Sequence, residues 1–186
     1  MSYFKNIKLI FNIFKEGTKL VKETKRQQER YRTMSTDELA LLPDDALYSA
    51  VYSRIEDKMD YADQEKSYSV LSQPQKVVYA LHILEDEVNN GGLCQFFVNS
   101  SRMYAPYISE YLALICAEEH RNLFDSFIEK YKIDVHNLDS FRIQRTEDYE
   151  QQTQRYPFDE FDEAFYALPS LEQPSCIYIR ENISFF

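Results

Sequence analysis

Tryptophan is absent from these 186 residues, and glycine occurs three times, proline six times and cysteine three times. So little Gly and Pro argues against a turn-rich all-β fold and favours helices. With glycines only at 17, 91 and 92, the chain has no P-loop and no G-x-G-x-x-G, and G-x-S-x-G and H-E-x-x-H are missing too. Cys94, Cys116 and Cys176 are odd in number, lack C-x-x-C spacing and lie in apolar sequence. They read as unpaired buried thiols in a reducing compartment. No apolar run approaches the ~20 residues of a membrane-spanning helix. The apolar stretch at Phe4–Phe11 is short, interrupted by Asn12 and Lys15, and followed by no small-residue cleavage site, so it does not read as a signal peptide. A cytoplasmic protein is expected.

What the chain does contain is 15 Tyr and 13 Phe, which must supply much of the packing. Apolar residues recur at helical period through most of the sequence. Ser35-Thr36-Asp37-Glu38 is a capping box opening a short helix. After Pro43, Leu47, Val51, Ile55 and Met59 mark a helix at about 44–60, followed by a polar linker over Asp60–Ser69. Ser72-Gln73-Pro74-Gln75 starts the next helix, with Val77, Val78, Leu81, Leu84 and Val88 on its apolar face. Further helices are expected at 93–99, from Pro106, at 118–131, over Ser140–Arg155, and at Phe158, Phe161 and Phe165. Residues 133–138 read as a connection. Only Cys176-Ile177-Tyr178-Ile179 looks strand-like, and one short run makes no sheet. The expectation is an all-α, compact multi-helix domain.

Charge divides the chain in two. Residues 1–34 carry nine Lys/Arg against three Glu, a balance of +6, whereas residues 35–186 carry twelve against twenty-eight, a balance of -16. At 100° per residue, Phe4, Ile7, Ile10, Phe11, Phe14 and Val21 share a face flanked by Lys5, Lys8, Lys15, Lys19, Lys22, Arg26 and Arg30, a basic amphipathic helix over about Phe4–Arg32. Three readings are open for it: docking on the main domain or on a second copy in a homodimer, lying on an anionic membrane surface through residues 4–32, and nucleic-acid binding. The domain division expected is 1–34 for this helix and 35–186 for an acidic helical domain.

The most distinctive stretch is Glu87-Val88-Asn89-Asn90-Gly91-Gly92-Leu93-Cys94-Gln95-Phe96-Phe97-Val98-Asn99-Ser100-Ser101. Its adjacent glycines read as a tight helix exit, with Gly91 or Gly92 at positive φ. The amides Asn89, Asn90, Gln95 and Asn99, with Ser100 and Ser101, are expected to satisfy backbone groups left open between two helices. No base adjoins Cys94, which reads as a core thiol. His82 and Asp86, four apart, form a carboxylate–histidine pair, but a metal site would need a further ligand. No cofactor, metal ligand set or catalytic residue is expected.

This stretch resembles the E-V-N-N-G-G-x-x-Q-F-F-x-N-S-S signature of the bacterial DNA-mimic protein family, small helical proteins otherwise of unknown function. The resemblance carries Glu87, Asn89, Asn90, Gly91, Gly92, Gln95, Phe96, Asn99 and Ser100 as a structural signature. It extends over most of residues 40–186: Ile115-Cys116-Ala117 stands where relatives often show an I-G-A-like junction, Phe158–Tyr166 looks like the family's aromatic-acidic helix, and Tyr178-Ile179-Arg180 like its closing segment. The resemblance implies a non-enzymatic protein that occupies the DNA-binding surface of a regulator, its partner a protein rather than nucleic acid itself. The acidic residues Glu56, Asp57, Asp60 and Asp63 with Glu65, then Glu147 and Asp148 with Glu150, then Asp159, Glu160, Asp162 and Glu163, are the candidate partner-binding groups. Alternatives are an immunity-type protein facing a toxin, a membrane-peripheral adaptor, and a small-molecule or metal-dependent enzyme built on the Asn89–Ser101 cluster.

Overall fold

The computed structural model describes Lys19 and residues 21–186 of the chain. Helices lie at 21–33 (α1), Thr36–Ala40 (α2), Asp44–Glu56 (α3), Gln64–Ser69 (α4), Gln73–Val98 (α5), Ala105–Leu114 (α6), Glu118–Tyr131 (α7), Thr146–Arg155 (α8), Phe158–Tyr166 (α9) and Glu172–Glu181 (α10). Short 3-10 turns cover Ser100–Tyr104, Asp139–Phe141 and Ile183–Phe185, and no strand occurs among the described residues. The fold is all-α. The apolar residues Phe4–Phe14 of the basic helix lie outside the described residues.

Both sequence-legible caps are present: the Ser35 and Ser72 hydroxyls accept from the backbone N–H groups of Glu38 and Gln75, whose side chains accept in return from the cap backbones. From Ser72 the long helix α5 runs through the middle of the molecule. Its Val77, Val78, Leu81, Leu84 and Val88 are buried to 1 % exposure or less. Around it pack α3, α6, α8, α9 and α10, while α7 bridges α6 and α9. Phe127, Phe141, Phe158, Phe161 and Tyr156 form one aromatic cluster with Phe97 of α5, which seats α9 and the loop preceding α8 on the core.

Four local expectations are corrected. The strand-like 176–179 run is helical, part of α10. Cys176, Tyr178 and Ile179 face the core and Ile177 is 56 % exposed, a one-sided burial that a helix provides. The Arg180 guanidinium then fixes α10 to the loop before α3, donating to the Ala40 and Leu42 carbonyls at 2.9 Å and to Asp44 at 2.6 Å. The polar linker contains α4, whose Tyr68 is buried against Tyr79 and Tyr104. The helix expected from Ser140 starts at Thr146, because the Asp148 carboxylate accepts from the Gln144 and Arg145 N–H groups and sets the start there. Finally, Cys116 is exposed rather than buried.

Cys116 has φ 58, a left-handed conformation, and there it closes α6. Its N–H donates to the Ala113 carbonyl at 3.0 Å and the Ala117 N–H to that of Leu112 at 2.9 Å. That is the two-bond helix stop in which glycine is the unstrained residue. Lys132 ends α7 in the same way at φ 54, with bonds from Lys132 N–H to Glu129 and from Ile133 N–H to Ile128.

The C-terminal end of α1 is tied to the rest of the molecule. Tyr31 is buried, Arg54 of α3 donates to the Tyr31 and Met34 carbonyls, and Arg32 makes a two-bond ion pair with Asp57. The contacts thus cross the expected boundary between residues 34 and 35.

Candidate functional site: a braced helix break and its acidic helix

Within α5 the backbone is non-helical at two residues, Gly91 (φ -162, ψ 22) and Gly92 (φ 76, ψ 176). The φ of Gly91 lies outside the left-handed region that favours glycine. Gly92 is in a region that only glycine adopts readily. The break turns the helix so that the following turn, 93–98, re-enters the core with Leu93, Phe96 and Phe97 fully buried. Burying three such side chains contributes on the order of 5–9 kcal/mol of transfer free energy, enough to outweigh an interrupted helical ladder.

The interruption strands backbone groups, and three side chains from α8 and α9 satisfy them. The Tyr166 hydroxyl donates to the Val88 carbonyl at 2.7 Å, and the Tyr149 hydroxyl donates to the Gly91 carbonyl at 3.0 Å. The Asp162 carboxylate accepts from the Leu93 N–H at 2.8 Å, at the start of the new helical turn. Burial raises the Asp162 pKa, against the lowering effect of the Leu93 bond. Its ionised form is nevertheless the one suited to a helix N-terminus. A Cβ on Gly92 would strike this carboxylate, so the glycine serves a close approach as well as a backbone angle.

The polar string meets the sequence expectation at Ser101, whose hydroxyl reaches the Phe96 carbonyl at 3.1 Å, and departs from it at the amides. Gln95 and Asn99 do not cap backbone groups. With Ser101 they converge on Glu87: Gln95 Nε2 donates at 2.7 Å, Asn99 Nδ2 at 2.9 Å and Ser101 Oγ at 2.7 Å. Glu87 sits one helical turn before the break and Ser101 just beyond α5, so one carboxylate clasps both sides of it. Phe96 is buried beneath, while Asn89, Asn90 and Ser100 are exposed. Cys94 is a buried thiol, pushed up to about 12 by burial, and so no nucleophile near neutral pH.

The acidic residues divide into groups. On α9, Phe158, Phe161 and Phe165 are buried and Asp159, Glu160 and Glu163 are exposed on the opposite side. Asp162 alone of the four turns inward, to Leu93. Glu160 lies 3.9 Å from Lys130, and Asp159 and Glu163 have no ion-pair partner among the described residues. Glu147 is exposed on α8, and Asp148 is held below the usual carboxylate range by the backbone N–H of Gln144 and then of Arg145. α8 and α9 both dock at the break, so these groups flank it.

The Glu56–Asp63 group lies elsewhere, at the end of α3. Glu56 accepts from the Tyr61 hydroxyl at 2.9 Å, Asp57 is paired with Arg32, Asp60 accepts from the Ala62 N–H, and Asp63 is exposed. Nearby, His82 faces Asp86 at 3.3 Å through Nε2 and the Tyr48 hydroxyl at 3.1 Å through Nδ1, and burial lowers its pKa. Among the described residues no group of three or more His, Cys, Asp or Glu is placed to hold a metal ion. None of their helices is long and apolar enough to cross a membrane.

The inward Asp162 and the braces Tyr149 and Tyr166 had no local signal, being 58 to 78 residues distant from their partners. Fold and site define an all-helical, acidic domain built around a braced, glycine-broken central helix. The chain matches the model of the DMP19-like protein family over residues 69–182, which contain the break, α8 and α9, and it belongs to that family. No curated protein and no solved structure matches it.

Proposed function

We propose that the protein is a non-enzymatic, protein-binding DNA mimic that presents the outer face of α9 to the basic nucleic-acid-binding surface of a regulator. The observation that carries this reading is the two-sidedness of α9. Its aromatic residues and Asp162 fix it rigidly at the α5 break, while Asp159, Glu160 and Glu163 stand in solvent. Carboxylates three or four residues apart on a helix are ~5–6 Å from one another. A nucleic-acid strand carries one charge per ~3.4 Å of axis, so the two densities are of the same order. Membership of the DMP19-like family, a family of DNA mimics, is compatible with the role. Within the Asn89–Ser101 string, Gln95, Asn99 and Ser101 are engaged with Glu87, which favours a structural role for these three.

The test is capture of a basic protein from cells, followed by binding at rising salt. Opposed surface charges are screened within a Debye length of ~8 Å at physiological ionic strength, so affinity is expected to fall steeply with salt. Asp159→Lys, Glu160→Lys and Glu163→Lys together should abolish capture while the far-UV circular dichroism and melting point stay close to those of the parent. A partner whose affinity ignores both salt and this triple reversal would refute the proposal.

A further inference from the structure

A groove of about 360 Å³ opens between α1, α3 and α5, with no α9 residue among the described residues lining it. Its walls are aromatic: Tyr31, Tyr48 and Tyr52 with the imidazole of His82, whose ring centre lies 3.6 Å from that of Tyr52 and 5.5 Å from that of Tyr48. Among the described residues no Lys or Arg lines it, whereas the Glu56 carboxylate does, and His82 also faces Asp86. Tyr61 occupies one Glu56 oxygen, and the other accepts from no donor among the described residues.

We infer that this groove binds the guanidinium of an arginine side chain presented by the basic partner. The source of the arginine rests on the function proposed above, but the chemistry of the groove does not. Guanidinium is flat, stacks on aromatic faces, and offers up to five N–H donors in one plane to a carboxylate at the edge of the stack. Tyr52 and His82 supply the face and Glu56 supplies the acceptor. Among the described residues His82 is the one ionisable nitrogen base on the wall, and burial favours its neutral form, which does not repel a cation. Asp86 on α5 and Glu56 on α3 are the carboxylates facing it, and the α1 residues on the wall (Thr24, Gln27, Gln28 and Tyr31) carry no charge.

Titration of the intact protein with N-acetyl-L-arginine amide, followed by the NMR signal of His82 Cε1–H, tests this. A saturable shift with millimolar affinity is expected, at least fivefold weaker in Glu56→Gln and in Tyr52→Leu, and weaker for N-acetyl-L-lysine amide, which cannot stack. Glu56→Gln keeps an acceptor for the Tyr61 hydroxyl, so its fold should be unaffected. A linear, non-saturating response, an unchanged affinity in Glu56→Gln, or equal binding of the lysine amide would each overturn the inference. Salt-sensitive capture of a partner through α9 combined with such a result would remove the groove alone. Saturable arginine binding without any salt-sensitive partner would remove the α9 reading and leave the groove standing.

Discussion

Gly92→Ala is the perturbation that most directly interrogates the helix break. At φ 76 and ψ 176 an alanine would occupy a region open essentially to glycine, at a cost of about 1–3 kcal/mol. Its Cβ would also displace the Asp162 carboxylate from the Leu93 N–H. A hydrogen bond to a charged group contributes about 1.5–3 kcal/mol, and because Asp162 is only half-buried solvent screening reduces this to about 1–2 kcal/mol. The expected loss is therefore about 2–5 kcal/mol, or roughly 5–15 °C in Tm for a chain of this length. Gly91→Ala is the control. Its φ of -162 lies outside the left-handed region, so the backbone penalty is absent; its Cβ would push the Gln95 amide from Glu87, one hydrogen bond, and the loss should be about 1 kcal/mol, below that of Gly92→Ala. Urea unfolding followed by far-UV circular dichroism measures both. A double-mutant cycle with Asp162→Ala then separates backbone strain from displacement: in that background Gly92→Ala should cost less by about 1–2 kcal/mol. Equal losses for the two glycines, or strict additivity with Asp162→Ala, would refute the account of the break.

Cys116→Gly and Lys132→Gly should each stabilise the protein by about 1 kcal/mol, because glycine takes the left-handed angle of both helix stops without the Cβ penalty; no gain in the urea midpoint would count against the strain assigned there. His120 is buried against Phe165, and burial lowers its pKa against the raising effect of the Pro169 carbonyl bond. As pH falls below the ordinary imidazole value of ~6.5 the unfolded chain takes up a proton that the folded chain resists, so His120 removes stability with acidification until its own folded pKa is passed. Asp162 and Glu85, whose pKa values burial raises, act in the opposite sense, so the readout is the difference in pH slope between parent and His120→Gln. The variant should lose less stability between pH 7 and pH 5, and parallel slopes would refute this.

The features legible in the sequence were those with local causes. The capping boxes at Ser35 and Ser72, the limits of α7 and the aromatic spacing of α9 each follow from neighbours three or four residues apart, and the structure shows all of them. The misread segments are short pieces whose conformation is set from outside. The Cys-Ile-Tyr-Ile run has strand-forming residues, but packing against α3 and the Arg180 bonds make it helical. The signature string announced a break and a polar cluster, though not that the hub would be Glu87 or that the braces would come from α8 and α9. The left-handed Cys116 was announced only by its standing where relatives often carry glycine; its composition as a thiol in apolar sequence pointed to the interior instead.

α9 is only nine residues long, and its two sides act on different things. The outer carboxylates look to solvent, while Asp162 and Tyr166, three and seven residues after Asp159, hold the N–H of Leu93 and the carbonyl of Val88 across the joint of the central helix. Any force applied to the outer edge is therefore delivered, through less than one helix diameter, to the place where α5 changes direction. A protein gripping α9 would stiffen the long axis of the whole domain, and a slip in the joint would tilt the charged edge away from whatever it faces.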